Sequence, residues 1–463
     1  MSSSAESLAP GATRDLARFA AGLSFAGLPQ AVVDRIRLCI LDAVACAAFG
    51  ATLPWTAKVR TMAEAEEAAP VATLIGRGGR TSAALAALVN GTAGHAFELD
   101  DIHRAAIIHP GSLAFPAALA LAEVQGGIDG KRFMTALVAG YEVGARAGSA
   151  ATQALFFRGF HPQGTNGVFA SAGAAARILD LDADATQHTL GIAGSQAAGL
   201  MAAQEGAMAK RLHSGRAAQA GVYAALLARD GFTGIADVLE AGYGGFLSSF
   251  SGKPEPEALT RGLGTEWETL AVGFKPHAAV TSIHAALDAL AALMREHGLS
   301  ADDIAAVDVG IGPMTYTHCA WPYKAQSVTA AQMNLFYGLA VMALDGAAFV
   351  AQYREDRLAD PAILDFIGRI AARVDAEIDA MGPAFRHAVA MTVTTRDGRR
   401  VSARLLHRRG SPEHPLSRDD VVAKFRALAG EAYPPAQLAR IERMVDGLEG
   451  LADMREFAQA LAG

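Results

Sequence analysis

The strongest constraint on this chain is a texture that hardly changes between about residues 12 and 265. Alanine- and glycine-rich segments follow one another, and in each the apolar residues recur every three or four positions. That period belongs to amphipathic helices rather than strands. In VVDRIRLCILDAVACAAFG (32–50) the pattern stops at Gly50, and TSAALAALVNGTAGHAF (81–97) offers Thr81 and Ser82 as caps. KRFMTALVAGYEVGARAG (131–148) and GRAAQAGVYAALLARDGFTG (215–234) continue it. Aromatic residues make up only 7% of the chain, so the core has to come from small side chains on closely packed helices. Alanine suits this, because it is the best helix former and loses no side-chain entropy.

After about residue 268 the texture changes. IAAVDVGIG (304–312) alternates as a half-buried strand does, and HAVAMTVTTRDGRRVSARLLH (387–407) reads as two strands joined at Asp397-Gly398, a strong hairpin signal. Helical periodicity appears at 282–298 and 330–350 and returns from 417 onward. The expectation is a mainly α protein. A large all-helical domain is built from both chain ends (1–268 and 407–463), and a smaller α+β lid domain is inserted at 269–406.

Several function classes drop out. The net charge is −7, and the basic stretches RLHSGR, RDGRR and LLHRRG are short and scattered, so no nucleic-acid partner is expected. MSSSAESLAPGATRDLARF shows no basic stretch followed by an apolar run, so no secretory leader is expected. Gln332, Asn334 and Asp345 interrupt the most apolar window, 330–350, which reads as a buried helix rather than a membrane span. A cytoplasmic protein with no membrane partner is expected. Cys39, Cys46 and Cys319 form no CxxC pair, and the first two share a helix face as core residues. LIGRGGRTSAA (74–84) and GIAGSQAAG (191–199) lack the spacing of nucleotide-binding loops.

The polar residues gather in a few places. HAFELDDIHRAAIIHPG (95–111) holds three histidines and three carboxylates. A helix running through 97 would put His95 and Glu98 on one face, with Asp101 three residues on. Such residues serve metal ligation, proton transfer with substrate orientation, or helix capping, and the paired histidines of a zinc-binding helix are missing. In RGFHPQGTNGVF (158–169), His161 stands in a glycine-rich loop that opens a helix, whose free N–H groups attract anions. AMAKRLHSGRAAQAG (207–221) sets Lys210, Arg211, His213 and Arg216 between apolar flanks, as charges facing a cleft would be. VGFKPHAAVTSIH (272–284) brings Lys275, His277 and His284 to the expected domain boundary, and GPMTYTHCAW (312–321) places Tyr316 and His318 after a strand. This inventory has cations to hold carboxylates, imidazoles to move protons and acids to orient them.

HAFELDD…HPG, GFHPQGTNGVF, KRLHSGRAAQAG, GFTG and FKPH, in that order, resemble the MmgE/PrpD family over nearly the whole chain. That family includes 2-methylcitrate dehydratases, cis-aconitate decarboxylases and iminodisuccinate epimerases. The resemblance implies a homodimer with its active site between the domains, a small di- or tricarboxylate substrate, and neither metal nor organic cofactor. It points to Glu98, Asp101, His109, His161 and Tyr316 as catalytic residues, and to Lys210, His213 and Lys275 as substrate-binding residues. His109 or His161 would move the proton, Asp101 or Glu98 would orient it, and Tyr316 would protonate a leaving hydroxyl. Two departures weigh against the decarboxylase branch: Glu98 stands where that branch carries Asp, and the stretch from Asp101 to His109 is one residue longer. The resulting expectation is a metal-independent hydro-lyase acting on a 2-methylcitrate-like substrate, with an epimerase or a cis-aconitate-type decarboxylase as alternatives.

Overall fold

Gly91 and Gly215 mark a place where two helices of the body meet backbone to backbone. Helix Ala83–Gly94 starts at Ser82, whose hydroxyl accepts from the Leu85 N–H, and all of its residues are buried. It crosses helix Ala209–Arg229 with no side chain between the two backbones at Gly91 and Gly215. A Cβ on Gly215 would run into the Leu88 carbonyl and the Thr92 hydroxyl. Backbones this close keep contact along both axes, which is how a core poor in aromatics reaches native packing density. Helices Gln30–Gly50, Gly111–Gln125, Gly130–Phe157 and Gly167–Ile178 pack around this crossing. Cys39 and Cys46 are buried on the first of them.

The computed structural model describes residues 6–463; the first five, where the leader reading begins, lie outside the described residues. Helix accounts for 59% of the protein and strand for 9%, so the fold is mainly α. Among the described residues, no single helix is long and apolar enough to cross a membrane.

A two-residue ladder, Ala72–Thr73 with Arg80–Thr81, interrupts the part expected to be all-helical, and the four-stranded sheet lies in the later part of the chain. Ile304–Ile311 runs parallel to Ile370–Val374 and antiparallel to Val389–Thr395, which pairs in turn with Arg400–Leu405. Val389–Thr395 alternates buried and half-buried residues, as a strand with one covered face must. Helix His284–His297 packs against this sheet. The 330–350 window forms two helices, Val328–Gln332 and Leu335–Asp345, because the Asn334 side chain caps the second by accepting from the Tyr337 N–H. Helix Arg418–Ala429 begins at a capping box of Ser417 and Asp420 and then rejoins the helical body. Its Lys424 reaches Asp42 at 2.6 Å and donates to the Leu99 carbonyl as well.

One helix is shorter than the sequence suggests. Ala83–Gly94 stops with His95 as its C-cap, and 95–101 is not helical. His95 and Glu98 therefore do not share a helix face. The chain is instead held by a two-residue ladder, in which Ile102–His103 pairs antiparallel with Val272–Gly273. That ladder ties the segment after helix Ala83–Gly94 to the entrance of the α+β part.

Gly215→Ala should destabilise the fold by about 1–3 kcal/mol, as over-packing does, despite the better helix propensity of alanine. Thermal or urea unfolding measures this, and a variant as stable as the parent would show that the crossing is not tight.

Candidate active site

Between His95 and Gly111 the chain takes a course that helix propensity would not choose. Glu98 has a left-handed backbone (φ 57°), and so does Ile107 (φ 54°). Each costs a non-glycine residue on the order of 1–2 kcal/mol. At Glu98 the carboxylate offsets that cost. Its Oε1 accepts from Lys210 Nζ and, at 2.5 Å, from Arg211 Nη1, while Oε2 lies 3.3 Å from Lys275 Nζ. Lys210 and Arg211 stand on the first turn of helix Ala209–Arg229. Lys275 follows strand Val272–Gly273, and the ladder with Ile102–His103 delivers it to the site. All four side chains are buried. Burial alone would raise the Glu98 carboxyl, but Lys210, Lys275 and Arg211 together hold it well below the usual carboxylate range. Burial takes Lys210 down to about 8 against the pull of Glu98.

Asp100 forms a second centre. Its Oδ2 accepts from the Ser112 hydroxyl at 2.9 Å and lies 2.8 Å from His95 Nδ1, and its Oδ1 lies 3.3 Å from His109 Nδ1. Burial would raise this carboxyl too, but the two imidazoles hold it well below its ordinary value. Burial drives His95 down to about 3 despite Asp100, so its neutral ring donates Nδ1–H to the carboxylate. The His95 ring lies 4.7 Å from that of His109 and 6.0 Å from that of His161. Gln163 locks the loop: its Oε1 accepts from the His109 N–H at 2.8 Å, and its amide donates to the hydroxyls of Ser112 and Ser214.

His161 completes the group. Its Nδ1 lies 2.8 Å from His213 Nδ1, so one ring donates and the other accepts. Burial first, then Lys210, pushes His161 well below the normal imidazole range, and the same two causes lower His213.

Both centres face one cavity, into which Glu98, His109 and His161 all open. Arg104, Lys210, Lys275 and Arg386 line it against a single carboxylate, Glu98. Ile107, Phe156, Met201, Met314 and Met333 supply an apolar strip, and His318, which burial takes down to about 4, stands beside it.

Glu98, His109, His161, Lys210 and Lys275 thus come together at one cavity. Four expectations change. Asp101 does not orient a histidine: it accepts from the Gly111 N–H at 2.9 Å and the Tyr141 hydroxyl at 2.8 Å, capping the start of a helix. Burial, Asp42 and Asp100 raise its carboxyl well above normal, so Asp100 takes the orienting role. Tyr316 is 41% exposed and lies outside the cavity wall, because the short helix Pro313–Cys319 turns Met314 inward instead. His213 also stays outside that wall and holds His161 rather than a substrate carboxylate. Glu98 serves as counter-ion to three cations and orients no histidine.

Sequence reasoning passed over Arg104 and Arg386, while His95, Asp100 and Arg211 stood in the polar segments it singled out without being given a role in the site. The ligand atoms of His95, Asp100 and His109 lie within 4.8 Å of one another, a donor set that could hold a metal. Asp100 bonds the His95 ring, whereas its Oδ1 and the His109 Nδ1, 3.3 Å apart, are buried without a hydrogen-bond partner among the described residues.

Family models described as the MmgE/PrpD N-terminal domain and the MmgE/PrpD C-terminal domain match residues 14–259 and 277–450. The chain is 33% identical to the cis-aconitate decarboxylase-like protein oryM of Aspergillus oryzae, over 97% of each chain. It is 32% identical to the cis-aconitate decarboxylase of Aspergillus terreus, covering 97% of this chain and 96% of that one. The Homo sapiens cis-aconitate decarboxylase is 28% identical, over 96% and 92%.

The two adjacent aspartates should separate cleanly by mutation. Asp100→Asn is expected to lower kcat by about two to four orders of magnitude, as loss of an imidazole's carboxylate partner does. Asp101→Asn, at a carboxyl that burial and its acidic neighbours push upward, should stay within about tenfold of the parent. Steady-state kinetics on folded variants decides, and the reverse order would refute the assignment.

Proposed function

The chain belongs to the MmgE/PrpD family, and from that premise we propose that it is a lyase releasing CO2 from an unsaturated tricarboxylate of the cis-aconitate type. The observation that carries this reading is the make-up of the cavity wall, where four cationic side chains meet one carboxylate beside an apolar strip. Cations can hold two substrate carboxylates while a third lies against Phe156, Met201 and Met314 without a counter-ion. An anion in that position is disfavoured relative to neutral CO2, so the wall favours its departure. The relatives named cis-aconitate decarboxylase support the same choice.

The chemistry needs a single proton. It is delivered to the vinylic CH carbon while the bond to the departing carboxylate breaks. The released electron pair forms the new double bond, and one CO2 leaves for each proton taken up. His109 is the donor in this reading, because it lines the cavity with the Asp100 carboxylate 3.3 Å from its Nδ1. Lys210 and Lys275, only partly neutralised by Glu98, hold a retained carboxylate and stabilise charge that develops next to it. His161, kept neutral, offers a hydrogen bond rather than a charge.

Dehydration, favoured on sequence grounds, also needs an acid at the leaving hydroxyl, and Tyr316 lies outside the wall. The added methylene of Glu98 counts less against decarboxylation once its carboxylate binds Lys210, Arg211 and Lys275 instead of meeting the reacting carbon.

NMR in deuterated water tests the choice. With cis-aconitate, the purified protein should release CO2 and form itaconate carrying a single new deuterium on its saturated methylene. With 2-methylcitrate it should form no unsaturated acid. Loss of water from the hydroxy acid without CO2 would overturn the reading.

A further inference from the structure

Among the described residues, one cation in the cavity wall has no counter-ion. Glu98 serves Lys210, Arg211 and Lys275, and Arg104 pairs with Glu413 at 2.6 Å. Among the described residues, no carboxylate lies within ion-pair distance of Arg386. Its Nη2 donates to the Arg104 carbonyl and its Nε to His387 Nε2 at 3.3 Å, which leaves Nη1 without a protein partner. The side chain is nonetheless buried, with the residue only 9% exposed. Burial and the nearby Arg104 bring it down to about 10, so it remains charged at neutral pH. Burial drives His387 well below the usual imidazole range, so that neighbour brings no negative charge.

A buried guanidinium held by a carbonyl and a neutral ring is costly unless an anion joins it. Its planar fork suits a carboxylate in particular. Arg386 reaches the cavity from the α+β part, just ahead of strand Val389–Thr395, whereas Lys210 reaches it from the helical body. The two residues thus line one cavity from different parts of the chain and keep different protein partners.

We propose that Arg386 is the receptor for a second substrate carboxylate and the residue by which this enzyme selects acids that can bridge it and Lys210. The assignment rests on the polycarboxylate reading above. It names where the second retained carboxylate is held, while the first sits at Lys210 and Lys275 and the third faces the apolar strip.

The test is calorimetric binding of propane-1,2,3-tricarboxylate, a saturated tricarboxylate with no double bond to react, to the full-length protein. Arg386→Gln should weaken binding about tenfold to a hundredfold, the loss expected for a charge-assisted pair. Arg386→Lys, which keeps the charge but not the fork, should recover part of it. Lys210→Gln serves as the comparison for the other cation. If Arg386→Gln binds like the parent while Lys210→Gln does not, Arg386 is not the receptor and the lyase reading stands. If Arg386→Lys binds no better than Arg386→Gln, the effect is not one of charge, and the assignment is overturned. A parent protein that binds no tricarboxylate would overturn the polycarboxylate site and this assignment together.

Discussion

Everything in the site depends on one buried carboxylate set among three cations. Glu98 holds Lys210, Arg211 and Lys275 with little of any of these side chains exposed. Each ion lost most of its hydration on folding, and such a cluster persists only because its members satisfy one another. The stoichiometry leaves it positive, and that surplus cannot relax into solvent. Through these contacts Glu98 links the end of one helix, the start of another and the ladder of Ile102–His103 with Val272–Gly273. The left-handed backbone of Glu98 is the conformational cost of putting its carboxylate at that meeting point.

The neighbouring aspartates show how burial assigns different chemistry to identical side chains. Asp100 meets two imidazoles and stays ionised; Asp101 meets a peptide N–H, a phenol and the charges of Asp42 and Asp100, and is driven toward its neutral form. One orients a proton donor and the other caps a helix. His95, buried and neutral, shares Asp100 with His109. His95 takes the shorter contact to Asp100, at 2.8 Å, while His109, which lines the cavity, stands 3.3 Å from the same carboxylate.

Much of this was legible in the sequence. The three-and-four spacing located the helices because alanine-rich faces must bury against something, and Asp397-Gly398 marked the hairpin between Val389–Thr395 and Arg400–Leu405. The segments carrying Glu98, His109, His161, Lys210 and Lys275 were recognisable by residue type, and they do converge. The termination of helix Ala83–Gly94 was not legible, because it depends on ion partners more than a hundred residues away. Neighbours in a non-helical segment point different ways, so no pattern could say which of Asp100 and Asp101 faces the imidazoles. Arg386 sits in no motif and gains its meaning only from the absence of a carboxylate around it among the described residues.

The central claim is that the cavity carries buried positive charge which Glu98 neutralises only in part and which a polycarboxylate completes. Thermal unfolding of Glu98→Gln with and without propane-1,2,3-tricarboxylate tests this directly. Removing one partner of a buried ion cluster costs about 3–5 kcal/mol. The variant should therefore melt well below the parent in buffer and gain more than the parent does from the tricarboxylate. A variant that melts with the parent, and gains no more than it from the ligand, would contradict the account.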